Sequence, residues 1–209
     1  MKNLSLSILL LVFVGCASRT YMNKYERKEV KQFKNILVME PIVYIQELDD
    51  KYQKHIYDYD LEIKDIFKKT YQPHLESIKS SYLDLDSTKY DKADLIKLLI
   101  EGFKKDIIDS SLTSALRNNN KGSDKILILE IDGWFKSKEL VKWEGTKSVL
   151  WAIFTLGSYI PIYYEYTTSM SAVMIDLSNN KVIYKENYRM VDDPRLKETI
   201  EKLIRKTIW

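Results

Sequence analysis

Apolar and polar positions along this chain alternate between short continuous runs and stripes at helical spacing. Ile36, Leu37, Val38 and Met39 leave no polar partner face, which predicts a strand covered on both sides. Pro41 cannot donate to a ladder, so it ends that strand or marks a bulge, and residues 42–48 continue it as an irregular edge. Residues 49–86 are polar and rich in Tyr, Lys and Asp. Within them Leu61, Ile63, Ile66 and Phe67 predict a helix, which Leu75 and Ile78 extend past Pro73.

Residues 91–116 carry the clearest helical stripe. Leu95, Leu99, Phe103, Ile107 and Leu112 line one side, widened by Ile96, Ile100, Ile108 and Ala115. The following Asn118, Asn119, Asn120 and Gly122 stop the helix. Residues 125–135 predict a second strand, apolar on both faces at first and polar on one face from Glu130 onward. Residues 167–176 and 181–188 form a hairpin around Leu177, Ser178, Asn179 and Asn180, a turn tolerant of positive φ. Asp193 and Pro194 then start a closing helix, as capping acid and first-turn proline, with Leu196, Ile200, Leu203, Ile204 and Ile208 on its buried face. This order fits an α/β (α+β) sandwich: a single domain with helices packed on a mixed sheet.

The N-terminus adds an address. Lys2 precedes a short apolar run over residues 4–14, and Gly15, Cys16, Ala17 and Ser18 close it with small residues around the chain's one cysteine. That is the layout of a bacterial secretory signal, and its junction resembles a lipobox, with Phe13 where Leu is usual. Cys16 is then the lipidated first residue of the mature chain. The run is too short for a membrane-spanning helix of about 20 apolar residues; a plain secretory signal cleaved near Ala17 or Ser18 is the stronger alternative. On the lipoprotein reading, residues 1–15 are a signal peptide, 16–34 a lipidated tether and 35–209 the domain. Ala17, in place of an aspartate after the cysteine, points to the periplasmic face of the outer membrane.

Charge and composition then narrow the function. With 33 basic and 30 acidic residues the chain lacks a nucleic-acid footprint. With no cysteine beyond Cys16, disulfides and thiolate metal sites are excluded. Residues 148–164 form 17 consecutive uncharged positions between two strands, where a few residues would suffice. They are a short membrane span, buried core whose second half begins the next strand, or an exposed loop touching a membrane or another subunit. In the last case Trp151, Phe154, Leu156 and Tyr159 carry the contact.

Catalytic motifs are scarce. His55 and His74 are the only histidines, and no zinc-binding helix pattern, nucleophile elbow or glycine-rich phosphate loop occurs. Glu130, Asp132 and Glu139 cluster near a strand end, where carboxylates could pair, though solvating acids are commoner there. No catalytic residue, metal or cofactor is assigned.

The strand ending at Pro41, the long helix, the strand of residues 125–135 and above all the hairpin of residues 172–184, with Asp176 before the turn and Lys181 and Val182 after it, resemble the periplasmic lipoproteins built on the fold of the TolB amino-terminal domain, the broad group of PelC and CsgG. Asn180 stands where glycine is more usual. The resemblance implies an α/β sandwich without cofactor, working as an accessory or scaffold component of envelope export, secretion or surface assembly, with a protein partner or further copies of itself. A periplasmic hydrolase or a small-ligand-binding lipoprotein is the alternative.

Overall fold

The computed structural model describes residues 20–21, 35–77, 81–83, 92–118 and 122–208. Its centre is the strand Lys125–Lys136 (β6), which pairs antiparallel with Tyr166–Asp176 (β7) and parallel with Ile36–Met39 (β2) and Ile42–Leu48 (β3). Lys181–Met190 (β8) continues the meander beyond β7, and Thr20–Tyr21 (β1) adds to its far edge. Two three-residue strands complete the described sheet: Gln53–His55 (β4) beside β3, and Ser81–Leu83 (β5) beside β2. Thr20 and Tyr21 fall in the segment expected to be a tether. Cys16 and the rest of that segment up to residue 34 lie outside the described residues, as do Ile78 and Asp91.

Side-chain parity builds two cores. Leu127, Leu129 and Ile131 point to one face, where the helices Tyr57–Ser77 (α1) and Lys197–Ile208 (α5) pack through Ile63, Phe67, Tyr71, Ile200, Leu203 and Ile204. Ile126 and Ile128 point to the other, covered by Lys92–Lys104 (α2) and Ser110–Asn118 (α3) through Leu95, Leu98, Leu99 and Leu116. The result is the expected α/β sandwich with a mixed sheet.

Pro41 sits in a bulge. Val38 pairs with Leu127 and Ile42 with Glu130, so four steps on one strand match three on β6. Ile42–Leu48 is consequently no free edge: its whole length pairs with β6, and its last three residues also pair with β4.

The stripe over residues 91–116 does not form one helix. The chain leaves helical geometry after Lys104, and Ile107 bridges to Lys181 while the Ile108 amide donates to the Asn180 carbonyl and the Val182 amide to that of Asp106. Sheet-like pairing thus satisfies backbone groups at the β7–β8 turn in place of helical bonds. Ile107 is therefore exposed rather than buried, and Ile100 is exposed too. Asp109 restarts the helix by accepting from the Ser111 amide at 2.9 Å. The turn itself matches expectation: Asn180 takes φ of 57°, and its side-chain oxygen accepts from Thr113 and Arg117 of α3 at 2.7 and 2.6 Å. A glycine could supply the φ but not those bonds.

The closing helix also begins later than the sequence predicts. Asp193 caps a turn instead, accepting from the Arg195 amide and guanidinium, and Leu196 is left exposed outside the helix.

Gly102 lets α2 pack tightly on the sheet: a Cβ there would stand 2.5 Å from the Val173 Cγ1. Helix propensity favours alanine over glycine by about 1 kcal/mol, but overpacking costs about 1–3 kcal/mol, and at 2.5 Å the clash should win. Gly102→Ala is expected to lower the unfolding free energy in urea by about 1–2 kcal/mol, and Val173→Ala in the same chain should recover part of the difference.

Candidate functional site: an uncovered apolar hairpin

The 17 uncharged residues do not begin the next strand, which starts at Tyr166. Their first half belongs to a helix, Lys138–Phe154 (α4), and the remainder returns without regular structure to β7. Sequence reading missed this helix because no stripe marks it. Its first turns are charged and its last two are apolar on every side, so polarity is segregated along the axis and not around it. No residue of α4 is buried.

The base is firmly held. Ser137 caps α4, its oxygen accepting from the Leu140 amide at 3.2 Å while its hydroxyl donates to Asp49 at 3.1 Å. The Ser137 amide donates to Leu48 and the Lys136 amide to Glu165, both at 2.8 Å, so the two arms are joined to β3 and to each other. The Asp49 carboxyl is held below its ordinary range by the Asp50 amide and, after it, by Ser137. Lys136 pairs with Glu144 of α4 and lies 5.4 Å from the Tyr163 ring on the returning arm. Further out the arms touch again where Ser148 donates to the Pro161 carbonyl at 3.3 Å and Thr155 to that of Tyr159 at 3.0 Å.

The four residues singled out in the sequence lie at this outer end. Trp151 and Tyr159 meet edge to face, with centroids 6.4 Å apart. Phe154 is 80% exposed and Leu156, at the apex, 93%. Val149, Leu150, Ile153, Ile160 and Ile162 add to the same exposed surface, and Trp143 stands nearer the base with the Lys147 ammonium 4.8 Å from its ring.

Helix α4 ends in a Schellman motif: the Gly157 amide donates to Ala152 at 2.7 Å and the Leu156 amide to Ile153 at 3.2 Å. The left-handed position belongs to Leu156, at φ 50°. A non-glycine side chain there costs roughly 1–2 kcal/mol, and nothing in the fold covers this one.

The candidate catalytic groups assemble differently. His55 Nε2 lies 2.6 Å from the Asp60 carboxylate, whose other oxygen accepts from the Ile45 amide, and the imidazole sits between the Tyr44 and Tyr57 rings at 4.4 and 4.1 Å. This ties β4 to α1 at the sheet edge. Glu130 and Asp132 fall on the half of the sheet that α2 and α3 leave uncovered. There Asp132 pairs in register with Tyr44 and Ser169. Glu139 lies in the first turn of α4, and His74 on α1, its side chain outside the described residues. Among the described residues no group of three His, Cys, Asp or Glu could hold a metal, and no helix is long and apolar enough to cross a membrane.

Desolvation by the surrounding sheet raises the Asp132 carboxyl above its ordinary 3.8 although the residue keeps exposed surface, against the opposing pull of Arg189. The folded chain therefore binds this proton more tightly than the unfolded one, and Asp132 lowers stability as pH rises through and beyond that window. Asp132→Asn should stabilise the domain at neutral pH, and the gain should vanish below the ordinary aspartate range in urea titrations at a series of pH values. At the apex, Leu156→Gly should slow hydrogen exchange at the last amides of α4, because relief of the left-handed strain outweighs the ~0.4–1 kcal/mol of chain entropy that glycine adds to the unfolded state. Trp151→Ser and Phe154→Ser should leave the unfolding free energy within about 0.5 kcal/mol of the parent, as expected of side chains outside any core.

No family model matches the chain, and no curated protein matches it significantly. Among solved structures it is similar to the PelC dodecamer of Paraburkholderia phytofirmans, with 11% identity and a TM-score of 0.41 over 92% of this chain and 94% of that one. It is similar to the LpoB C-terminal domain of Salmonella enterica, with 6% identity and a TM-score of 0.34 over 78% and 91%. A third is lipoprotein GNA1162 of Neisseria meningitidis, with 12% identity and a TM-score of 0.32 over 82% and 94%. Likeness at this distance carries no inference about activity or partners.

Proposed function

We propose that this chain is a lipid-anchored protein of the bacterial envelope, held through Cys16 on the periplasmic face of the outer membrane. It works without catalysis, as an accessory or scaffold subunit in export, secretion or surface assembly, with an envelope protein or further copies of itself as partner. The observation that carries this reading is the α4 hairpin. A well-packed sandwich leaves Trp151, Ile153, Phe154, Leu156 and Ile162 uncovered on one projection, and contiguous apolar surface of that kind marks a contact site. The lipobox-like junction at Cys16 supplies the address.

Intact mass of the protein from its own membrane fraction tests the anchor. The expected species lacks residues 1–15 and carries added acyl mass. An unacylated mature chain overturns it. Crosslinking in the native envelope tests the scaffold: recovery of neither a stoichiometric partner nor a self-associated form contradicts that role.

A further inference from the structure

The hairpin has a feature that separates a lipid surface from a protein groove. A helix docking into a groove presents one apolar stripe and keeps its other faces polar. Beyond Ser148, α4 has no polar face: Val149, Leu150, Trp151, Ile153 and Phe154 surround the axis, and all are exposed. The returning arm adds Tyr159, Ile160 and Ile162. Below that level the polarity reverses at once, with Lys138, Glu139, Lys142, Glu144 and Lys147 on the first turns and the Lys147 ammonium beside the Trp143 ring. Lysine stems and aromatic rings of that kind suit the headgroup level. From Ser148 to Leu156 the helical rise is about 10–12 Å, enough to enter one leaflet of a hydrocarbon core about 30 Å thick and too short to cross it.

The second observation is the direction of β1. Thr20 pairs with Asn187 and Tyr21 with Glu186, so β1 turns its N-terminal end toward the Met190 end of β8. Through β7 that is the end where β6 finishes and α4 leaves. Cys16 precedes Thr20 by four residues, a reach of at most about 14 Å. From these two observations we infer that the tip of the α4 hairpin inserts into the same leaflet as the lipid on Cys16, giving the domain two membrane contacts at one end of its sheet. The second contact rests on the anchor proposed above, while the affinity of the tip for lipid does not. Stable association generally needs two such signals.

The test uses the chain from residue 16 onward with Cys16→Ser, which has no acyl group, and vesicles of phosphatidylethanolamine and phosphatidylglycerol. It should co-float with the vesicles, and tryptophan emission should shift to the blue and be quenched by brominated acyl chains. Trp151→Ser, Phe154→Ser and Leu156→Ser together should weaken flotation by about a hundredfold or more with an unchanged melting temperature. Leu156→Gly alone should weaken it by a smaller factor without loss of fold. No flotation of the folded parent overturns the proposal and leaves the Cys16 anchor standing. A parent that forms oligomers, stays off vesicles and becomes monomeric in the triple variant also overturns it, and assigns the tip to contact between copies.

Discussion

The ladder between β6 and β7 is the constraint on which the remaining structure depends. Lys125 to Phe135 pair without interruption with Tyr166 to Asp176, so both cores inherit their register from these two strands. Ile126 and Ile128 face α2 and α3, while Leu127, Leu129 and Ile131 face α1 and α5. A slip of one residue would exchange the two sets and bring Glu130 and Asp132 under helix-covered surface. Once the ladder is fixed, β2, β3 and β8 have only one way to add with their apolar positions inside.

The same ladder sets where covering stops. From Glu130 onward one face of β6 is polar, and α2 and α3 do not extend over it. The strand then runs on to Lys136, whose amide and side chain grip the two arms of the excursion. A rigid base and an apolar end thus come from one stretch of chain. The central sheet holds the base through Ser137, Asp49 and Glu165, and the end receives nothing from the fold in return.

Much of the sandwich was legible because fully buried strands carry continuous apolar runs, as at residues 36–39 and 126–129, and because the Asn179–Asn180 turn announces its φ. The failures have physical causes. Ile107 fits a helical stripe, yet its backbone is recruited by Lys181, a partner distant in sequence. Asp193 and Pro194 have the chemistry of a helix start, but Arg195 draws the Asp193 carboxylate into a turn of its own. Helix α4 has no circumferential pattern to read. The apolar residues around Trp151 use the same vocabulary as a core, and only the fold shows them to be exposed. The strands β4 and β5 are too short to carry a period, and His55 meets Asp60 only once β4 lies against α1.

The bulge at Pro41 works as a shift of reading frame within one continuous line of sheet. Before it the even-numbered residues Ile36 and Val38 enter the core beneath α1 and α5; after it the odd-numbered Val43 and Ile45 do so. The single extra residue thereby keeps Tyr44 on the solvent side. Loss of one residue from this short stretch would invert everything downstream to Leu48, bringing Tyr44 and Gln46 inward and turning Val43 and Ile45 out. Length is therefore as much a constrained property of residues 39–41 as identity is, whereas the arm returning from Leu156 meets β6 only at its base, where Glu165 accepts from the Lys136 amide, and nearer the apex it can change length without moving a core residue.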